Sequence, residues 1–156
     1  MGILRLRREK GLTLVEVVVT IAVLLILAGA VMPLAKVTLK RQKELELRRA
    51  LRTMRQAIDL YKQYSDQGLI EKEGIDSEGY PPELEKLVEG IPQVGSTKKI
   101  KFLRRIPMDP FTHKDEWGLR SYQDEADSRS WGRQNVYDVY TLYSGTALDG
   151  TKYEDW

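Results

Sequence analysis

A single acidic residue, Glu16, interrupts the most apolar part of the chain and lies five residues after Gly11. The run that follows, 17–35, contains no charged residue. A helix over this run, rising about 1.5 Å per residue, would approach the thickness of the hydrocarbon core of a bilayer. An ionised carboxylate inside such a segment costs about 2.5–3.5 kcal/mol. Glu16 therefore needs a charged partner, and the sequence predicts a segment that leaves the membrane to join an assembly.

Three landmarks have a fixed spacing along the N-terminus. A basic leader ends at Gly11, Glu16 is the fifth residue counted from Leu12, and Pro33 is the 22nd. This pattern resembles the class III signal of type IV pilins and pseudopilins. The resemblance implies that a prepilin peptidase cuts after Gly11 and N-methylates Leu12. It also implies that Glu16 pairs with the N-terminal amine of a neighbouring subunit and that Pro33 kinks the helix.

Two other interpretations account for part of the N-terminal pattern. A secretory signal peptide also has a basic start and an apolar middle, and the segment 28–30 resembles its small-residue cleavage site. Against it, Glu16 interrupts the apolar region and the helical pattern continues past Pro33. An ordinary membrane anchor accounts for the apolar run but leaves the sequence of residues 11–16 unexplained. The pilin-type interpretation is therefore preferred.

Composition excludes several kinds of chemistry. The chain has 156 residues, so removal of a leader at 1–11 leaves room for one modest domain on a helix. It contains no cysteine, which excludes disulfide and thiolate chemistry, and its one histidine, His113, cannot form a histidine cluster around a metal. No nucleophile–histidine–acid set and no glycine-rich phosphate loop is present. The sequence therefore predicts a protein that is not an enzyme.

Charge is segregated along the chain. Basic residues outnumber acidic ones by four to one in 1–11 and by nine to three in 36–64, whereas 65–156 has twelve basic and eighteen acidic residues. Because both flanks of the apolar run are basic, the positive-inside rule does not fix its orientation. The family resemblance implies a single-pass protein of the bacterial inner membrane with its C-terminal head in the periplasm. A short basic run at 98–101 lies within this acidic head, so nucleic acid is not an expected partner.

Beyond Pro33 the pattern changes from apolar to amphipathic. Apolar residues recur at steps of three and four, which predicts one buried stripe on a helix over 36–64. The stripe consists of Leu47, Leu51, Met54, Ile58 and Tyr61. Joined to the transmembrane, fibre-core helix over 12–35, it would give a helix roughly 80 Å long, kinked near Pro33.

The head, 65–156, is predicted to be a small antiparallel sheet with a short helix. The segment 79–88 predicts a helix with prolines in its first turn. The segments 117–122 and 136–144 predict strands, and 123–135 an exposed loop. The fold class is therefore α+β, with the long N-terminal helix packed on the sheet, which is the type IV pilin fold. The segments 79–88 and 102–111 resemble the tyrosine–proline and aspartate–proline elements of the major pseudopilins of type II secretion systems.

The C-terminal tail raises the question of calcium. The resemblance to major pseudopilins implies a calcium ion near the C-terminus, and Asp149 and Asp155 would be its first ligands. The tail does not have EF-hand spacing, nor the longer acidic, glycine-rich pattern of calcium-binding relatives. The alternative is that Asp149 and Gly150 form only a tight turn and that Trp156 docks the terminus onto the sheet.

The resemblance implies a structural function. The chain would be a subunit of a type II secretion pseudopilus, a helical filament of identical subunits that drives protein export. Its implied partners are the prepilin peptidase, an assembly ATPase, an inner-membrane platform protein and minor pseudopilins. The alternatives are a type IV or competence pilin on the cell surface and a monomeric, membrane-anchored binding module. The head motifs and the absence of cysteine favour secretion.

Overall fold

The computed structural model describes residues 11–74 and 77–156, without the side chains of 30–34. One long helix, α1, spans Leu14–Asp66. The described chain divides after Leu39 into two compact units, and the second one, beginning at Lys40, contains the head. The predicted kink near Pro33 falls among residues 30–34, outside the described side chains. The domain limits 12–35, 36–64 and 65–156 stay predictions.

The C-terminal half of α1 packs its apolar stripe on the head, as the three- and four-residue spacing predicted. All five stripe residues are exposed by 2% or less. They join one core with apolar residues from every later element. These partners include Leu84, Leu87, Ile91, Leu103, Trp117, Val136, Val139 and Tyr153. The α+β fold class is confirmed, since a long helix packs on a small antiparallel β region.

The β region consists of two separate antiparallel pairs. Strand β1 (Ile91–Pro92) pairs with β2 (Lys99–Ile100), and β3 (Gly118–Arg120) pairs with β4 (Asp138–Tyr140). The basic run 98–101 therefore contributes strand β2. A 3-10 helix at Tyr153–Asp155 closes the fold.

Strands β3 and β4 are shorter than the predicted 117–122 and 136–144. At both ends of this strand pair, main-chain N–H groups donate to side chains and not to the neighbouring strand. The Asn135 side chain accepts from Tyr122 N (2.9 Å), and the Thr141 hydroxyl accepts from Tyr143 N (3.0 Å). Because these main-chain groups bond to side chains, the ladder ends after three residues on each strand. The predicted loop 123–135 is mostly exposed, but Asn135 itself is fully buried.

The short helix is also smaller than predicted. Helix α2 spans only Lys86–Glu89, so the prolines Pro81 and Pro82 precede it and do not lie in its first turn. Tight turns occupy the chain before it, with Leu87 N donating to Leu84 O (3.2 Å). Pro81 O accepts from Val136 N (2.7 Å), which ties this segment to the start of β4. The predicted end of the helix at Gly90 is confirmed, and Gly90 has a φ of 81° that suits glycine.

Candidate functional site

Glu16 lies in the first turn of α1, where the local structure favours an acid. Thr13 precedes the helix, and its hydroxyl accepts from Glu16 N (3.2 Å) while its carbonyl accepts from Val17 N (3.1 Å). Thr13 thus caps the helix, and the sequence Thr13-Leu14-Val15-Glu16 has the spacing of a capping box. The sequence analysis missed this cap, although the T-x-x-E spacing is a recognised signal. A carboxylate here is also stabilised by the positive end of the helix dipole.

Glu16 is exposed and forms no ion pair with another described residue. Gly11 and Leu12 precede the cap. Leu12 is 73% exposed, and a Cβ added at Gly11 would meet no atom within 4 Å from the described residues, its chain neighbours aside. The predicted processing residues and the predicted assembly residue thus lie together around the start of α1. Pro33, the fourth predicted residue of this set, is outside the described side chains.

Large apolar side chains follow Glu16 and are exposed in the isolated chain. Leu24 is 64% exposed, Leu25 68% and Ile26 74%. Thr20 is the polar residue within this apolar segment, and its hydroxyl donates to Val17 O (2.8 Å). Across the described residues, no helix has both the length and the apolarity needed to cross a membrane. The predicted segment 12–35 includes residues 30–34, which lie outside that description.

The two candidate calcium ligands each contact an arginine. Asp149 Oδ1 accepts from Thr151 N (3.0 Å) and Thr151 Oγ1 (2.6 Å), and Oδ2 accepts from Arg48 Nη2 (3.3 Å). These contacts, led by the Thr151 hydroxyl, hold the pKa of Asp149 below its usual value. Asp155 accepts from Arg129 Nη2 (3.3 Å). No group of three or more acidic or histidine residues suited to a metal occurs in the described part of the chain. Calcium binding stays a prediction, which a calcium titration of the unfolding midpoint would test.

The tail forms the tight turn that was the alternative to a calcium loop. Gly150 N donates to Ala147 O (3.1 Å), and Gly150 has a φ of 88°. Trp156 docks against α1 and Tyr153: the Arg48 guanidinium lies 4.0 Å from its ring centre, and the Tyr153 ring packs against it edge-on at 5.0 Å. These contacts fix the last residues on the head.

Asp109, within the segment 102–111, is a buried structural acid. Its Oδ1 accepts from Phe111 N (2.7 Å) and Thr112 N (3.3 Å), and its Oδ2 accepts from the buried Thr141 hydroxyl. Asp109 therefore caps its own turn and ties it to the end of β4. The sequence analysis recognised this segment only by family resemblance and missed the contact with Thr141, which lies 32 residues away.

Asp138 of β4 connects the sheet to α1. Its carboxylate accepts from Arg55 Nε of α1 (2.6 Å) and Arg120 Nη1 of β3 (3.2 Å). The Arg120 side chain is only 8% exposed, and this carboxylate is its counter-charge. Arg55 also donates to the main-chain oxygens of Val139 (3.1 Å) and Trp156 (2.7 Å). No sequence pattern pointed to this cluster.

Comparison with known proteins supports the N-terminal and the whole-chain resemblance. Residues 6–32 match the family described as the prokaryotic N-terminal methylation motif. The chain is 29% identical over 142 residues to type II secretion system core protein G of Pseudomonas aeruginosa, an alignment that covers 87% of this chain and 84% of the relative. No solved structure matches.

The motif and the relative agree with the fold. The resemblance to type IV pilins and pseudopilins is therefore supported at both levels, and it indicates a structural, membrane-anchored role. The chain carries the N-terminal methylation motif and an α+β head on a long helix, and it is similar along most of its length to a type II secretion system core protein G.

Proposed function

We propose that this protein is a structural subunit of a type II secretion pseudopilus. A prepilin peptidase cuts the precursor after Gly11 and methylates Leu12, and the segment 12–35 holds the subunit in the inner membrane with its head in the periplasm. An assembly ATPase and a platform protein then transfer subunits into a periplasmic fibre that drives export. Minor pseudopilins complete the fibre.

The observation that carries this proposal is the contrast between Glu16 and its surroundings. Glu16 is exposed, has no ion-pair partner among the described residues, and is followed by exposed apolar side chains such as Leu25 and Ile26. A bilayer or neighbouring apolar helices would cover those side chains, but only a neighbour could offer Glu16 a positive charge. The new amine of Leu12 in an incoming subunit supplies that charge. Pairing the two offsets part of the desolvation cost and sets the axial register.

The first test is the intact mass and N-terminal sequence of the protein extracted from its own cell membranes. A chain that starts at N-methylated Leu12 supports processing and assembly. A chain that starts at Met1 indicates a permanent anchor, and one that starts at Val31 indicates an ordinary signal peptide. Either of the last two results would overturn the proposal.

The second test is the Glu16→Ala variant. We expect it to insert normally into the membrane and to lose fibres, which are measured as multimers trapped by a lysine-reactive crosslinker. The matched control is Glu71→Ala, an exposed acid of the head, which should assemble as the wild type does. Normal multimers from Glu16→Ala would contradict the proposed role. Fibres sheared from the cell surface, in place of a periplasmic fibre, would indicate a surface pilus.

A further inference from the structure

The exposed surface of α1 in the head has two grooves on different flanks. The first, the basic groove, has a volume of about 520 Å³ and is lined by Arg48, Leu51, Arg52, Arg55, Gln56, Asp59 and Trp156. The second, the wide groove, has a volume of about 1070 Å³ and lies between α1, α2 and the segment 102–108. They share no residue of α1, so they face different directions around the helix.

Of the three arginines that line the basic groove, Arg52 is the one without an ion pair among the described residues. Arg48 pairs with Asp149 and Arg55 pairs with Asp138, whereas Arg52 is exposed and forms no ion pair with a described residue. Arg48 also stacks on the Trp156 ring, so apolar surface lies beside the charges. A carboxylate bound in this groove would be partly shielded from water, which strengthens its attraction to Arg52.

The wide groove contains acidic residues that, like Arg52, form no ion pair with a described residue. Glu85 directly precedes the short helix α2, Glu89 is its last residue, and Glu46 lies on α1; all three are exposed. The floor of this groove is apolar and includes Val88 and Ile106. Arginines also line it, so the variants below are chosen to test whether the acids beside α2 make the contact.

We propose that the basic groove of one subunit binds Glu85 and Glu89 of a second copy of this chain, with Arg52 as the receiving charge. This inference rests on the proposed fibre and names a contact within it. Because the two surfaces differ, the contact is heterologous and repeats without closing on itself, as a filament requires. A second copy is favoured over nucleic acid because the head has eighteen acidic and twelve basic residues. The membrane-held subunits also keep the local concentration of these acids high.

Disulfide trapping tests this contact directly, since the natural chain contains no cysteine. The full-length double variant Arg52→Cys with Glu89→Cys is made in the host cells, and mild oxidation should give dimers and a ladder of larger species. The control pair, Arg52→Cys with Glu71→Cys, should give at least about fivefold less dimer. Crosslinking of Arg52→Cys to a different protein, identified by mass, would overturn the choice of a second copy.

Charge reversal provides the second measurement. Arg52→Glu should lower the yield of crosslinked multimers about fivefold, which is the upper range for one exposed ion pair. Adding Glu85→Arg and Glu89→Arg to this variant should restore the yield. Lys98→Glu, an equal charge change on the β1–β2 turn, should leave it unchanged.

The two proposals fail in different ways. If lysine-reactive crosslinks show wild-type multimers but the 52–89 pair forms no disulfide and charge reversal has no effect, the contact is wrong and the fibre stands. If the wild type gives no multimers at all, both the fibre and this contact are overturned.

Discussion

The two halves of α1 differ in the exposure of their apolar side chains. Before Leu39, large apolar side chains are exposed, as at Ile26, which is 74% exposed. After Lys40, the stripe that includes Leu47 and Met54 is completely buried against the head. The sequence accounts for the difference, because apolar residues surround the first half on all sides but occupy a single face of the second.

The difference indicates that the head is stabilised by contacts within the chain, whereas the first half of α1 depends on contacts with other molecules. The head has its own core and its own buried polar links, such as those of Asp109 and Asp138. The first half of α1 has a capped start at Thr13, but its large apolar side chains are not covered by the residues that the structure describes. Changes in the head should therefore alter its folding, and changes before Leu39 should alter assembly.

The largest expected effect is at the core of the head. Leu47→Ala should lower the free energy of unfolding by about 2–5 kcal/mol, because it leaves a cavity under α1. Urea unfolding of the full chain in detergent measures it, and the fluorescence of Trp117, Trp131 and Trp156 reports only on the head. The matched control is Leu25→Ala, which should change this value by less than about 0.5 kcal/mol. Equal losses from both variants would contradict the conclusion that only the second half of α1 contributes to the stability of the head.

The second effect is at the polar link between α1 and the sheet. Asp138→Ala should lower the free energy of unfolding by about 2–3 kcal/mol, because it leaves the nearly buried Arg120 without a counter-charge. The control is Asp149→Ala, which removes the acid of the ion pair between Asp149 and Arg48. Both side chains of this pair are about half exposed, so the free energy of unfolding should fall by less than about 1 kcal/mol. If the two losses are equal in the same urea experiment, burial does not set the strength of these pairs.

The features that periodicity encodes were predicted, and those made by distant polar contacts were not. The stripe from Leu47 to Tyr61 follows from a repeat that can be read in the sequence alone. The pairing of Arg55 with Asp138 joins residues 83 apart, and no local pattern marks it. For the same reason the strands were predicted too long, since the hydrogen bonds of Asn135 and Thr141 that end them depend on the folded chain.

At the start of α1 as well, the sequence predicted the helix but not the hydrogen bond that caps it. The helix was predicted to begin at Leu12, and α1 begins at Leu14. The hydrogen bond between the Thr13 hydroxyl and Glu16 N was not predicted, although it is local and the T-x-x-E spacing is a signal for it. This bond uses the main chain of Glu16, so Thr13 caps α1 within the subunit while the Glu16 carboxylate keeps its proposed role between subunits.

A smaller effect of opposite sign is expected at Tyr61, in the buried stripe. Its hydroxyl is buried and has no hydrogen-bond partner among the described residues, and burial raises its pKa to about 12. Tyr61→Phe removes this unsatisfied group and should raise the free energy of unfolding by up to about 1 kcal/mol at neutral pH. Since unfolding restores a pKa near ~10, the wild type also loses stability as pH rises from about 10 to 12, and the variant's advantage should grow there. Urea unfolding at pH 7 and pH 10.5 measures both, with the exposed Tyr137→Phe as control. A loss of stability in Tyr61→Phe would mean that the hydroxyl is satisfied.

The smallest effect is expected at Asp124, in the exposed loop after β3. Its Oδ2 accepts from Gly132 N (3.0 Å) and Ser121 N (2.7 Å), and these hydrogen bonds lower the pKa of its carboxyl. A lowered pKa in the folded state means that the carboxylate contributes stability above its ordinary pKa near ~4 and loses it as pH falls through the folded value.

Asp124→Asn should therefore show a shallower loss of stability than the wild type as pH falls from about 5 to 2.5. Asp149 and Glu154 also have lowered pKa values, so both proteins retain an acid-dependent loss, and only the difference between their slopes belongs to Asp124. Glu125→Gln, at the neighbouring exposed acid, should follow the wild type. Parallel curves for Asp124→Asn and the wild type would show that the loop is not held by this carboxylate. The head would then owe its order to the buried core and to Asp138, and the comparison with the first half of α1 would rest on those alone.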